Sequence, residues 1–309
     1  MTPDELYSHI RERRSMLCVG LDTDYDRLPD CVKEGSAAGS VLRFNKEIVD
    51  ATAPFCIAYK PNLAFYEAMG PEGMKVLGDT VDHIRSNYPD KFLIADAKRG
   101  DIGNTARLYA KTYFETYDFD AVTLSPYMGV ETALPFLEYP GRYAIVVALS
   151  SNPGSADFEQ RTFAGRDCRR PTEDLGKSRP DGSPDQAIDH ATLASGDYGR
   201  GRSEDCPGKP MYRIVMEKMM GISTPENMMF VVGATKASVF KEIRSFCPDN
   251  FLLVPGVGAQ GGSAGEVMEN GSNSRGGLII NSSRAIIYAS SGKDFAGAAA
   301  LAASKTARV

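Results

Sequence analysis

Phe92-Leu93-Ile94-Ala95-Asp96-Ala97-Lys98-Arg99-Gly100-Asp101-Ile102-Gly103-Asn104-Thr105 is the stretch on which the fold turns. It opens with a short apolar run, Phe92 to Ala95, that reads as a buried strand. Side chains two apart on a strand share a face, so Asp96 and Lys98 point the same way if strand geometry persists that far. Asp101 then lies beyond them, in a turn toward a helix. Two carboxylates and an ammonium crowd one mouth. Taken alone, D-x-K-x-x-D also suits a solvated loop whose charges pair at the surface, so the rest of the chain has to decide.

Apolar runs of the same kind recur at Leu17 to Leu21, Phe55 to Tyr59, Phe119 to Leu124, Tyr143 to Leu149, Met229 to Val232, Phe251 to Val254 and Gly277 to Ile280. Most are apolar throughout rather than alternating, as parallel strands covered on both faces require. Helical segments fall between them, among them Val41 to Ala51, Thr105 to Tyr117, Tyr212 to Met220 and Ser238 to Phe246. Thr2-Pro3-Asp4-Glu5 marks an opening helix with an N-cap, a proline at the first helical position and a reciprocal glutamate. Eight alternations of strand and helix predict a single α/β domain over residues 1–309, a (β/α)8 TIM barrel. The spacing of strand starts is broken once, between Tyr143 and Met229. There the stretch from about Arg161 to Gly208 is rich in Gly, Asp, Arg, Ser and Pro and lacks either periodicity, so it reads as a long polar insertion, mobile or loosely docked, between strands five and six.

Composition excludes several function classes. The 309 residues are ample for a sizeable core, and a net charge of −5 with both signs mixed leaves no polybasic footprint for nucleic acid or an anionic membrane. Asp22 and Asp24 interrupt the apolar stretch after Arg13-Arg14 too early for a signal peptide, and no run reaches the length of a membrane span, so a cytoplasmic protein is expected. Cys18, Cys31, Cys56, Cys168, Cys206 and Cys247 show no C-x-x-C spacing, and His9, His83 and His190 lie far apart. Neither a zinc site nor a disulfide scaffold is suggested.

A barrel enzyme carries its chemistry at the C-terminal ends of its strands, and the polar residues fall there. Strand one ends in Asp22, strand two in Lys60, strand three in Asp96 and Lys98, and strand five in Ser150-Ser151-Asn152-Pro153. Strand seven runs into Pro255-Gly256-Val257-Gly258-Ala259-Gln260-Gly261-Gly262 and strand eight into Asn281-Ser282-Ser283-Arg284. A glycine-rich loop lets backbone N–H groups approach an anion, and Arg284 offers a planar fork for phosphate oxygens. Loops after strands seven and eight are the usual phosphate grip of such barrels.

These motifs, in this order, resemble those of the orotidine 5'-phosphate decarboxylases at every defined position of the strand-three segment and over nearly all the chain outside the insertion. Gly20-Leu21-Asp22 and Tyr59-Lys60-Pro61-Asn62 belong to the same set, and the Ser-Asn-Pro and Gly-Ala-Gln forms are similar to the longer, monofunctional branch. The resemblance implies decarboxylation of orotidine 5'-phosphate to uridine 5'-phosphate, the last step of de novo UMP synthesis, without cofactor or metal. It implies a catalytic array of Lys60, Asp96, Lys98 and Asp101, with Lys98 as the proton donor. It further implies Asp22 and Thr105 on the ribose hydroxyls with Lys60 and Asn62 alongside, Ser151 on the pyrimidine edge, and Gln260, Gly261, Gly262 and Arg284 on the phosphate. A homodimer is implied as well, with Asp101 and Thr105 serving the neighbour's site. Two other readings share part of the pattern: a metal-dependent sugar-phosphate lyase with the same strand-three motif, which lacks the Lys60, Ser151 and Gln260 features, and a catalytically silent phosphate-binding barrel, which would be expected to have lost one of the four charges.

Overall fold

The computed structural model describes residues 1–163, 208–234, 237–256 and 264–307. Among them the strands are β1 (Leu17–Leu21), β2 (Ala58–Pro61), β3 (Phe92–Arg99), β4 (Ala121–Leu124), β5 (Tyr143–Leu149), β6 (Thr162–Phe163), β7 (Lys209–Pro210), β8 (Met228–Val232), β9 (Leu252–Pro255) and β10 (Leu278–Ser282). Eight of these close into a barrel in the order β1-β10-β9-β8-β5-β4-β3-β2, each pairing parallel. Helices packed outside it join the strands, as the alternation predicts.

The period of two along each strand sorts the core into two layers. Leu17, Val19 and Leu21 of β1 pack outward against the helices, as do Leu93 and Ala95 of β3 and Leu278 and Ile280 of β10. The residues between them, Cys18, Ile94 and Ile279, face the barrel interior with Ala58, Ala121, Ile145, Met229 and Leu253. At the N-terminal mouth Phe92 and Tyr143 meet edge to face at 5.6 Å. Leu6 and Ile10 of the opening helix (Pro3–Arg13) join the interior cluster there and stopper it. One step further up each strand the interior ring becomes Gly20, Lys60, Asp96, Thr123, Val147, Val231, Pro255 and Asn281. The alternation that builds the core thus ends in a ring with two charges and two further polar groups.

Expected and observed elements differ where local chemistry intervenes. The second strand starts at Ala58 rather than Phe55, because Pro54 ends the preceding helix in a 3-10 turn over Ala53–Phe55. The helix expected from Val41 starts at Ala37, since the Ser36 hydroxyl caps it by accepting the Gly39 N–H at 3.0 Å. The opening helix has the expected reciprocal cap: Glu5 N–H donates to the Thr2 hydroxyl, and Thr2 N–H to the Glu5 carboxylate. Cys18, Cys31, Cys56 and Cys247 are free thiols, while Cys168 and Cys206 lie outside the described residues.

The insertion falls between β5 and β8, and its interior, residues 164–207, lies outside the described residues, as does any expectation of how it moves or docks. Its two ends are held together. Thr162 pairs with Pro210 and Phe163 with Lys209, and Met211 N–H donates to the Arg161 carbonyl at 2.9 Å. Replacing residues 164–207 with a short Gly-Ser turn should therefore leave the barrel folded, because loop closure costs only about 0.6 kcal/mol per doubling of length and shortening favours the folded chain. Circular dichroism melting is the check. Aggregation, or a midpoint lowered by more than about 10 °C, a change of roughly 2 kcal/mol or more, would show that the excursion packs on the barrel.

Candidate active site

Asp96 is the hub of the polar ring. Its Oδ2 accepts from Lys60 Nζ at 2.8 Å, and its Oδ1 accepts from Lys98 Nζ at 2.6 Å and from the Thr123 hydroxyl at 3.0 Å. Lys60 is buried, and its ammonium also stands 4.0 Å from Asp22 Oδ1. Burial works against both charges, but the two ammoniums outweigh it at Asp96 and hold that carboxyl well below the usual carboxylate range. At Lys60 burial is again the largest influence, and Asp96 followed by Asp22 overcomes it, holding the ammonium charged above its ordinary range. Lys98 is different in kind: its side chain is 56% exposed and meets Asp96 from the solvent side.

The strand carries Lys98 to this position through an irregularity. The register of β3 against β4 shifts between Ala95 and Arg99, and Lys98 sits at φ 47°, in the left-handed region that costs a non-glycine residue roughly 1–2 kcal/mol. Two neighbours hold the distorted exit. Arg99 turns outward to Glu67, to the Tyr113 hydroxyl at 3.0 Å and over the Tyr109 ring. Gly100 passes so close to β4 that a Cβ there would stand 2.7 Å from the Ser125 carbonyl. Thr123 and Arg99 were not among the sequence-derived site residues. The available signal for Thr123 is its hydroxyl in the otherwise apolar run Ala121-Val122-Thr123-Leu124.

Above the array lies a cleft of about 170 Å³, lined by Asp22, Lys60, Asp96, Ser151, Asn281 and Arg284, together with Pro255 and Gly256. Six strand ends thus converge on one mouth. Two of the lining acceptors, Asp22 Oδ1 and Asn281 Oδ1, are buried without a hydrogen-bond partner among the described residues. Gly20 leaves room beside them, since a Cβ there would collide with the Ser283 side chain. Ser151 is brought to the rim by a braced loop: Glu159 accepts from the Ser150 N–H at 2.7 Å and from its hydroxyl at 2.9 Å. Arg284 is exposed, with no ion-pair partner among the described residues. Gln260, Gly261 and Gly262 lie outside the described residues.

Three other expected residues make no side-chain hydrogen bond or ion pair with the array among the described residues. Asp101 accepts from the Ile102 N–H at 2.8 Å and makes no ion pair with Lys98. Thr105 is exposed on the first turn of the helix Gly103–Lys111. Asn62 caps the next helix, Leu63–Glu67, by accepting from Ala64 N–H at 3.3 Å, and bridges to Asp96 through the backbone. A second concavity, about 390 Å³, lies at the opposite end of the barrel among Arg85, Asp118, Asp120 and Arg142. Its charges are already engaged with one another, Arg85 with Asp120 at 2.9 Å and Arg142 with Asp118 at 2.6 Å.

A closed parallel barrel with an ionised lysine–aspartate array on the cleft floor, at the C-terminal strand ends, is the architecture of a (β/α)8 enzyme. The profile described as the orotidine 5'-phosphate decarboxylase / HUMPS family matches residues 15–173. The chain is 45% identical over 306 residues to an orotidine 5'-phosphate decarboxylase of Phocaeicola vulgatus, covering 99% of this chain and 96% of that one. It is likewise 45% identical over 303 residues to the same enzyme of Bacteroides fragilis, covering 98% and 94%. Among solved structures it resembles the OMP decarboxylase of Leishmania donovani, with a TM-score of 0.69 at 26% identity, over 97% of this chain and 94% of that one. The chain belongs to the orotidine 5'-phosphate decarboxylase / HUMPS family.

The array makes a pH-dependent contribution to stability whose window follows from its signs. The Asp96 carboxyl is held low, so its share is complete above the ordinary aspartate value near about pH 4 and is lost only as acid takes the pH through the folded value. The Lys60 ammonium is held high, so its share is complete below about pH 10 and is lost as alkali passes the folded value. Lys60→Met should lower the unfolding free energy by about 1.5–3 kcal/mol, the worth of a hydrogen bond to a charged group. In urea titrations the deficit should be constant between about pH 5 and 9 and shrink on either side. A deficit that changes by more than about 1.4 kcal/mol inside that window, one pKa unit's worth, would mean that the pair is not ionised throughout it.

Proposed function

We propose that the chain decarboxylates orotidine 5'-phosphate to uridine 5'-phosphate at this cleft, acting in the cytosol as one barrel domain. The observation that carries the reading is the clamp of Asp96 between Lys60 and Lys98, at 2.8 and 2.6 Å, on the floor of a cleft that also presents Asp22, Ser151 and Arg284. The bond from the sixth ring carbon to the carboxylate breaks, carbon dioxide leaves, and the electron pair stays on that carbon. The pyrimidine ring delocalises it poorly, so the site has to supply the opposing charge. The Lys98 ammonium does so, then gives its proton to the carbon, and its exposure lets solvent restore the proton. The low Asp96 carboxyl keeps a fixed negative charge beside that ammonium.

Asp96 would also repel the substrate carboxylate, by about 4 kcal/mol at 4 Å and an effective dielectric near 20. Enzymatic rate enhancements correspond to about 8–23 kcal/mol, so stabilisation of the carbanion and binding energy from the remote phosphate carry the larger share. In this reading Asp22 and Thr105 take the ribose hydroxyls beside Lys60 and Asn62, and Ser151 reads the pyrimidine edge. Arg284 holds the phosphate with Gln260, Gly261 and Gly262. The buried Asp22 Oδ1, which accepts no hydrogen bond among the described residues, supports the ribose role, since a hydroxyl donor would satisfy it.

We read the active unit as a homodimer in which Asp101 and Thr105 serve the partner's site. What supports this is a run of exposed large apolar side chains beside them: Ile102 at 41%, Leu108 at 56%, Tyr127 at 80%, Met128 at 50% and Leu134 at 44%. No helix of the described residues is long and apolar enough to cross a membrane.

Purified protein mixed with orotidine 5'-phosphate should deplete the substrate's pyrimidine absorbance equally well with and without EDTA, since the array supplies the electrostatics. Lys98→Ala should abolish nearly all turnover while still binding uridine 5'-phosphate. Activity lost in EDTA and restored by a divalent ion would favour a sugar-phosphate lyase instead. A Lys98→Ala variant within tenfold of wild type, about 1.4 kcal/mol in the barrier, would remove Lys98 from the acid's role.

Shared sites predict complementation. A heterodimer of Lys98→Ala and Asp101→Ala chains holds one doubly defective site and one intact site. Free exchange between two inactive homodimers in equal amounts makes about half the dimers mixed, so about a quarter of wild-type activity should return. No recovery after exchange has been verified by mass spectrometry would place Lys98 and Asp101 in one chain's site.

A further inference from the structure

We infer that Thr123 is a positioning residue for the reaction, its hydroxyl fixing where the Lys98 ammonium stands relative to Asp96; the inference rests on the proposed decarboxylation and assigns a residue that reading leaves out. Thr123 is 1% exposed, in the same interior ring as Lys60 and Asp96. Its Oγ1 accepts the main-chain N–H of Lys98 at 2.9 Å and donates to Asp96 Oδ1 at 3.0 Å. The direction of both bonds is forced. A backbone N–H can only donate and an ionised carboxylate can only accept, so the single hydroxyl hydrogen goes to Asp96.

The bonds close a ring. From the Lys98 backbone the path runs through the Thr123 hydroxyl to Asp96 Oδ1, and from that oxygen to Lys98 Nζ at 2.6 Å, so both ends of one lysine are tied to a single oxygen. The register shift between Ala95 and Arg99 explains why a side chain is needed. The distorted strand takes the Lys98 N–H out of the regular ladder, and its φ of 47° is held against intrinsic preference. The hydroxyl supplies the missing acceptor to that N–H. Serine or threonine can do this at this position; valine fills the same volume and cannot.

The test compares Thr123→Val and Thr123→Ser with wild type in steady-state turnover of orotidine 5'-phosphate and in titration with uridine 5'-phosphate. Thr123→Val should lower kcat by about tenfold to a hundredfold, the range for loss of a hydrogen bond to a charged group. Its KM and product affinity should stay within threefold of wild type, because the ribose and phosphate contacts lie elsewhere. Thr123→Ser should restore kcat to within about threefold, a difference smaller than one hydrogen bond's worth. A merely structural role would lower both variants' thermal midpoints and active fractions without separating kcat by the presence of the hydroxyl. A valine variant with kcat within twofold of wild type overturns the proposal, as does a serine variant as slow as valine. If valine does not fold, the serine variant alone decides: near-wild-type kcat supports the role and a tenfold loss overturns it. Failure of wild type to turn over the substrate would overturn the functional reading itself, a result distinct from any pattern among the variants.

Discussion

Everything at the mouth of this barrel depends on one carboxylate being ionised where burial disfavours it. Asp96 is charged because Lys60 and Lys98 approach it from two strands, and Lys60 is charged in a buried position because Asp96 and Asp22 face it. Each charge has a second partner, Lys98 for Asp96 and Asp22 for Lys60, so losing one does not strand a wholly uncompensated buried charge, the case that costs about 3–5 kcal/mol. The array therefore constrains β1, β2, β3 and β4 together. Their relative register has to bring Asp22, Lys60, Asp96 and Thr123 to one level, and the parallel pairing of Gly20 with Lys60 and the bridge from Asn62 to Asp96 do so.

The same strand period that makes the core makes the site. Cys18, Ala58, Ile94, Ala121 and Ile279 fill the interior as small or branched apolar groups, and the residues two further on are Gly20, Lys60, Asp96, Thr123 and Asn281. No separate scaffold is needed to aim the polar groups, because pleating already aims them inward. The cost is confined to the top ring, where polar groups leave water, and the lower layers and the stopper of Leu6 and Ile10 offset it by burying apolar surface.

How much of this was legible in the chain depends on the range of the interaction. Apolar runs without alternation made the eight barrel strands readable, and Tyr143 to Leu149 coincides with the strand observed. Boundaries failed where a single residue decided them, as Pro54 did before β2 and Ser36 before the helix Ala37–Thr52. Asp96 and Lys98 were readable as neighbours from their spacing, although they meet through the irregular β3 exit at Lys98 rather than regular strand geometry, and Lys60 and Asp22 were readable by their place at strand ends. Thr123 was not, because nothing local distinguishes a threonine that accepts the Lys98 N–H from one that merely suits a strand. Its role exists only across the β3–β4 pair, where the register shifts.

That Asp101 forms no ion pair with Lys98 within the chain bears on catalysis. A lysine more than half exposed sits in a high-dielectric surrounding, where a unit charge at 4 Å is worth about 1 kcal/mol rather than the 4 kcal/mol of a partly enclosed site. The single chain thus holds the proposed proton donor in the setting least able to stabilise a carbanion. The side chains that would exclude water are the exposed Ile102, Leu108, Tyr127, Met128 and Leu134, which lie on the segments following β3 and β4. In the proposed dimer, covering that face and delivering the partner's carboxylate are one event. Association would then strengthen every charge interaction at Lys98 at the same time as it completes the array, which couples catalytic power to assembly without any movement of the barrel.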